Sequence, residues 1–111
     1  MSKISPFAPT ALPLLPGLQQ VFIATDHCGI KYKNRDDVCL MVFPPKTSVA
    51  GVFTNSLTAS APVLKCRQNL QQGEVRAIII NAGNSNAFTG KLGDEAVTRC
   101  LDDVAKNGGC F

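Results

Sequence analysis

The segment Asn81-Ala82-Gly83-Asn84-Ser85-Asn86-Ala87-Phe88-Thr89-Gly90 is where residue types and spacing could do chemistry. Its Asn and Gly residues can hold tight left-handed bends while offering amide donors and acceptors. It joins an apolar strand to a helix, a connection that lies at the carboxyl edge of a sheet. Ligands of α/β proteins bind at such edges, and helix N–H groups point outward there. The candidate site-shaping residues are therefore Asn81, Gly83, Asn84, Asn86, Thr89 and Gly90. Two readings stand side by side: a ligand site, or a self-satisfied turn whose Asn side chains cap their own backbone. A phosphate-binding P-loop is excluded, because six residues rather than four separate Gly83 from Gly90-Lys91. Leu92 also stands where a Ser or Thr must reach the magnesium ion. The Gly-x-Gly-x-x-Gly spacing of dinucleotide-binding loops does not occur.

Other polar residues offer less. Thr54, Asn55 and Thr58 read as turn chemistry, and Lys31 and Lys33 as solvated strand residues. His27 has no second titratable partner close in sequence. Asp36, Asp37, Asp102 and Asp103 read as turn and helix-surface charges, not as an acid/base pair. No catalytic residue is assigned from these, and no metal site, since there is no Cys-x-x-Cys pair and His27 adjoins Cys28 without paired ligand spacing. The five cysteines, Cys28, Cys39, Cys66, Cys100 and Cys110, are odd in number and mostly embedded in apolar text. They read as reduced core residues.

The elements that must position the Asn-rich loop follow from periodicity. Val21–Thr25 is β-branched and aromatic, Gly29–Lys33 alternates apolar with basic residues, and a turn follows at Asn34–Asp37. Val38–Phe43 is a fully apolar strand that stops at Pro44-Pro45, and Ser48–Thr54 is another, the two forming a hairpin across Pro44–Thr47. Ala61–Leu70 is a short helix with Ser60 as N-cap, Pro62 in its first turn and apolar residues at Val63, Cys66 and Leu70. Val75–Ile80 predicts a central strand covered on both faces. A closing helix of about a dozen residues has Asp94 and Glu95 at its N-terminal end and a stripe of Ala96, Val97, Cys100, Leu101, Val104 and Ala105, with Gly108-Gly109 as its stop.

This order predicts an α+β fold, a mostly antiparallel sheet covered by helices. Residues 1–17 form a Pro-rich arm and 18–111 one domain. With 111 residues, 17% charged residues and a net charge of +3, the chain fits neither a disordered tail nor a nucleic-acid binder. No apolar run reaches the roughly 18 residues of a membrane span, and the Pro-rich start lacks a secretory signal, so a cytoplasmic protein is expected. Cys110-Phe111 reads as the start of a further element, so the text reads as incomplete. A strand apolar on both faces also lacks its cover.

Gly29-Ile30-Lys31, Gly51-Val52-Phe53-Thr54, Ala61-Pro62-Val63 and above all residues 81–90 resemble the ornithine acetyltransferase family, the bifunctional glutamate N-acetyltransferases of arginine biosynthesis. The family form of the decapeptide is Asn-[Ser/Ala]-Gly-Asn-Ala-Asn-Ala-x-Thr-Gly, from which this sequence departs at Ser85. The resemblance implies an αββα-type fold of which this chain is an incomplete part, the N-terminal portion of the α chain. It implies acetyl transfer from N-acetylornithine to glutamate, with acetyl-CoA as a second acetyl donor in bifunctional members and no bound cofactor. It further implies self-cleavage before a threonine that becomes the nucleophile, and a Thr-Gly oxyanion pair downstream of the Asn-rich loop. Both fall beyond Phe111, and Thr89-Gly90 belongs to the earlier motif, so the chain alone is expected to be inactive. The partners implied are the rest of the α chain, the β chain and further subunits of an oligomer. The alternatives are a binding module built on Asn81–Gly90 and a non-functional gene remnant.

Overall fold

The computed structural model describes residues 5–31 and 33–108. Three strands, β1 (Phe22–Asp26), β2 (Val38–Ser48) and β3 (Glu74–Asn81), form one antiparallel sheet in the order β1-β2-β3. Two helices, α1 (Ala61–Asn69) and α2 (Gly90–Asn107), pack against each other, and α2 also meets β3. The α+β arrangement is the one the sequence predicts. Val75–Ile80 does not take the central place, however: β2 pairs on both sides and β3 lies at the edge of the described sheet. An apolar run reports cover on the strand's faces and is silent about its neighbours, and Val38–Phe43 is as apolar as Val75–Ile80.

The expected hairpin across Pro44–Thr47 is replaced by one continuous strand with a bulge. Val42 pairs with Ala77 and Thr47 with Val75, so the four residues between them face one on β3. The two prolines have no N–H to give the ladder, Lys46 takes φ 65°, and the Thr47 hydroxyl donates to the Pro44 carbonyl at 2.8 Å. Of the expected strand Ser48–Thr54 only Ser48 is in the sheet; β3 begins at Glu74, and the pairing ends with Val49 N–H donating to the Gly73 carbonyl at 3.0 Å. The expected strand Gly29–Lys33 is absent over its described residues, Tyr32 lying outside them. The N–H groups of Cys28 and Ile30 go to the Asp37 carboxylate instead of to a neighbouring strand.

Helix α1 follows expectation, with a proline in its first turn, although Ser60 caps through its carbonyl, accepting from Leu64 N–H at 3.1 Å, and not through its hydroxyl. Helix α2 begins at Gly90, a full turn before Asp94. Asp94 and Glu95 therefore lie in the second turn, where Glu95 meets Lys91 at 3.7 Å. Val97, Leu101, Val104 and Ala105 are half-buried, whereas Ala96 and Cys100 stay exposed. The last two, with Val104, line an open groove whose far wall is Leu40 and Ile79 of the sheet. By strand alternation Ile23, Met41, Ile78 and Ile80 occupy the opposite face, and Ile23 and Ile80 are 47% and 49% exposed.

Among the described residues no apolar side chain is fully buried; only Asp37 and Gly93 are. The accessible surface is 9151 Å², where a folded monomer of this mass exposes about 5,900 Å². The surplus of about 3,000 Å² is the scale of an obligate interface. The Pro-rich arm, exposed from residue 5 to 17, supplies part of it, and the sheet face and the α2 groove supply apolar area. The cysteines expected in a core are free but not in one: Cys28, Cys66 and Cys100 are exposed and Cys39 is half-buried, with Cys110 outside the described residues.

Candidate functional site

The Asn-rich loop leaves β3 and enters α2 at the sheet edge that also holds the end of β1 and the start of β2. Its backbone alternates through left-handed conformations, with φ 102° at Gly83, 49° at Asn86, 59° at Phe88 and 57° at Gly90. The side chains hold these bends. Asn81 Nδ2 donates to the Asn84 carbonyl at 2.8 Å, and Asn84 Oδ1 accepts from Asn86 N–H at 2.9 Å. Asn86 Nδ2 donates to the Gly93 carbonyl at 2.9 Å, and its Oδ1 accepts the Thr89 hydroxyl at 2.6 Å. Each of the three Asn side chains thus makes at least one bond within the loop or to α2.

Beside the loop lies an open cleft of about 270 Å³. Asn86, Phe88, Thr89 and Gly90 form one wall, and Leu57–Ala59 with the start of α1 form the other. The six candidate residues therefore divide: Asn86, Thr89 and Gly90 line the cleft, while Asn81, Gly83 and Asn84 lie on the loop's other arm. Both helices open on the cleft without a side-chain cap, since the Thr89 hydroxyl turns back to Asn86 and Ser60 makes no side-chain bond. Their first turns present the positive end of each helix dipole. Asp94 adds a carboxylate to the rim.

The opposite wall is braced as turn chemistry predicts. Ser56 N–H donates to Thr54 Oγ1 at 3.2 Å, and the Ser56 and Thr58 hydroxyls bond at 2.9 Å. Arg67 donates to the Thr54 carbonyl while its guanidinium sits 5.8 Å from the Phe53 ring centre, tying this loop to α1.

Asn86→Ala should remove both the donor to Gly93 and the acceptor for Thr89, at a cost of about 1–3 kcal/mol. A lowered denaturant midpoint checks it, and a change within about 0.3 kcal/mol of zero would contradict it.

Sequence reasoning misses two residues at this edge. Asp37, read as a turn charge, is 3% exposed and gathers the N–H groups of Cys28 and Ile30 at 2.7 Å each. Its neighbour Asp36 is the surface charge expected, exposed and accepting the Thr25 hydroxyl at 2.5 Å. His27 does have a titratable neighbour, Asp37 Oδ2 at 3.9 Å from Nδ1, and that same nitrogen donates to the Arg35 carbonyl at 2.8 Å. Gly93 is the second: a glycine inside a helical pattern is a signal for close approach. A Cβ there would fall 1.8 Å from Thr89 Oγ1.

Burial pushes the Asp37 carboxyl up, but the N–H donors of Cys28 and Ile30, the nearby His27 and the Lys31 N–H outweigh it and hold the group below the ordinary carboxylate range. A depressed folded-state value means stability that is present above about pH 4 and lost as the pH falls through the folded value. The difference in unfolding midpoint between the wild type and Asp37→Asn is therefore expected in full at pH 7 and to close only below about pH 4. A difference independent of pH over that window would contradict it.

Residues 22–111 match the ArgJ family. The chain is 52% identical over 109 residues to the arginine biosynthesis bifunctional protein ArgJ of Mesorhizobium japonicum, covering 98% of this chain and 26% of that protein. The ArgJ protein of Brucella suis is 50% identical over 109 residues with the same coverage. Among solved structures, the arginine biosynthesis bifunctional protein argJ of Bacillus halodurans superposes with TM-score 0.73 at 28% identity, over 79% of this chain and 46% of that one. The ornithine acetyltransferase of Mycobacterium tuberculosis, solved with ornithine, gives TM-score 0.64 at 36% identity, over 76% and 48%. The chain spans about a quarter of the length of the curated relatives it matches.

Proposed function

The chain belongs to the ArgJ family, and from that membership we propose that it forms the N-terminal part of a glutamate N-acetyltransferase, moving acetyl from N-acetylornithine to glutamate in arginine biosynthesis. The family match across 22–111 carries the reading. The surplus surface supports it, since an apolar sheet face and the α2 groove require further polypeptide to cover them. Matches over 79% and 76% of this chain fill 46% and 48% of the solved chains, whereas a match over 98% of it fills 26% of the curated relative, so those solved chains are less than half as long. That difference supports an enzyme working as two chains, α and β, with this sequence in the first.

In this reading the residues described here shape the substrate site and do not attack. Uncapped helix ends suit a carboxylate and Asp94 suits an amine, the two groups of an amino-acid substrate. A threonine hydroxyl in the remaining polypeptide takes the acetyl group as an ester and releases ornithine. The glutamate amine then takes the acetyl from that ester. Acetyl-CoA enters as an alternative acetyl donor, a substrate and not a resident cofactor. No helix among the described residues is long and apolar enough to cross a membrane; the likeness to biosynthetic enzymes supports a cytoplasmic placement. A stand-alone binding module would need a core of its own, and the described residues bury no apolar side chain. The test is acetyl transfer from N-acetylornithine to glutamate, measured on the chain with and without the remaining family polypeptide.

A further inference from the structure

Asp37 is bonded to two segments at once. Its carboxylate, fully shielded from solvent, accepts the N–H groups of Cys28 and Ile30 at 2.7 Å, and that of Lys31 as well. Its own backbone N–H donates to the Asp26 carbonyl at 3.1 Å, and its carbonyl accepts Ala82 N–H, the first amide after β3, at 2.8 Å. The circuit closes on the far side, where Lys31 lies against Gly83: a Cβ on Gly83 would stand 2.5 Å from Lys31 Cβ. Gly83 is doubly constrained, because its φ of 102° is also one that L side chains rarely adopt.

We propose that Asp37 is a positioning residue that sets the Asn81–Gly90 loop through Lys31 and Gly83, coupling the 27–31 segment to the candidate site. Residues 28–31 have no strand partner, so their shape is fixed by a carboxylate collecting N–H groups, bonds that charge makes about twice as strong as neutral ones. The surface they present to Gly83 therefore depends on that cage. Gly83 is the hinge between Asn81 and Asn84, whose amide-to-carbonyl bond shapes the first arm of the loop. The role of the loop rests on the proposed function; the coupling does not.

Hydrogen exchange on the full chain, read by mass spectrometry, tests it with three variants. Asp37→Asn keeps the backbone carbonyl that accepts Ala82 N–H and weakens the side-chain cage, and its effect at 82–86 is read together with Gly83→Ala, which leaves residue 37 untouched. Exchange is expected to rise about tenfold at 27–31 and at 82–86 together, while the β2–β3 amides at 39–42 and 77–80 are unchanged. Gly83→Ala, introduced at the other end, is expected to loosen 27–31 as well as its own segment. Asp36→Asn is expected to leave both segments as they are. Loosening confined to the segment carrying each substitution overturns the proposal, and so does loosening that spreads to the β2–β3 ladder. Coupled loosening in a chain that gives no acetyl transfer when mixed with the remaining family polypeptide would leave the coupling standing and overturn the proposed function instead.

Discussion

Gly93→Ala is expected to destabilise the chain by about 2–4 kcal/mol, the reverse of the usual sign for that change. In an ordinary helix interior, alanine is favoured over glycine by about 1 kcal/mol. Here the added Cβ would fall 1.8 Å from Thr89 Oγ1, 2.6 Å from Asn86 Oδ1 and 2.7 Å from Thr89 Cβ. Those two side chains cannot step aside independently, because they are bonded to each other and Asn86 Nδ2 is bonded to the Gly93 carbonyl. The substitution must break the clasp that starts α2 or push the helix off the loop. Denaturant midpoints of the chain assembled with the remaining family polypeptide, followed by circular dichroism, measure the cost. In the double variant with Thr89→Ala the loss is expected to be less than the sum of the two single losses, because the nearest clash is gone. A more stable Gly93→Ala chain would contradict the arrangement.

Acetyl transfer is the larger effect. This chain, assayed alone, is expected to show none, and so is the remaining family polypeptide assayed alone. Mixed, they are expected to transfer acetyl from N-acetylornithine to glutamate at least about a thousandfold faster than either. Under the proposed function the labour is divided: the chain supplies one wall of the site and the scaffold beneath it, and the nucleophile and its oxyanion donors come from the other piece. Turnover by homogeneous chain alone would contradict this assignment, and an assembled but inactive pair would contradict the proposed reaction.

How much of this is readable in the residues depends on how local the cause is. β3 and α1 are legible because an apolar run and a proline in a first turn report on themselves. The bulge in β2 is not, since Pro44-Pro45 marks a loss of ladder hydrogen bonds without saying whether the strand ends or resumes. Gly29–Lys33 shows strand alternation, yet its amides belong to a carboxylate several residues downstream, a pairing no periodicity records. For the same reason Asp37 reads as a surface charge. The Asn-rich loop is legible as a loop that bonds itself, because Asn and Gly at these spacings bond at short range. Its cleft is not, for the second wall at Leu57–Ala59 is brought over by packing of α1 on α2. The early start of α2 belongs with this, since it depends on Gly93 admitting Thr89 and Asn86.

The central claim is that this polypeptide is a layer finished by other polypeptide. Sedimentation of the purified chain combined with its thermal unfolding tests that claim most directly. The surplus of about 3,000 Å² and the uncovered sheet face lead us to expect self-association and a shallow, low-temperature transition. A monomer that unfolds in one steep transition at high temperature would contradict the claim.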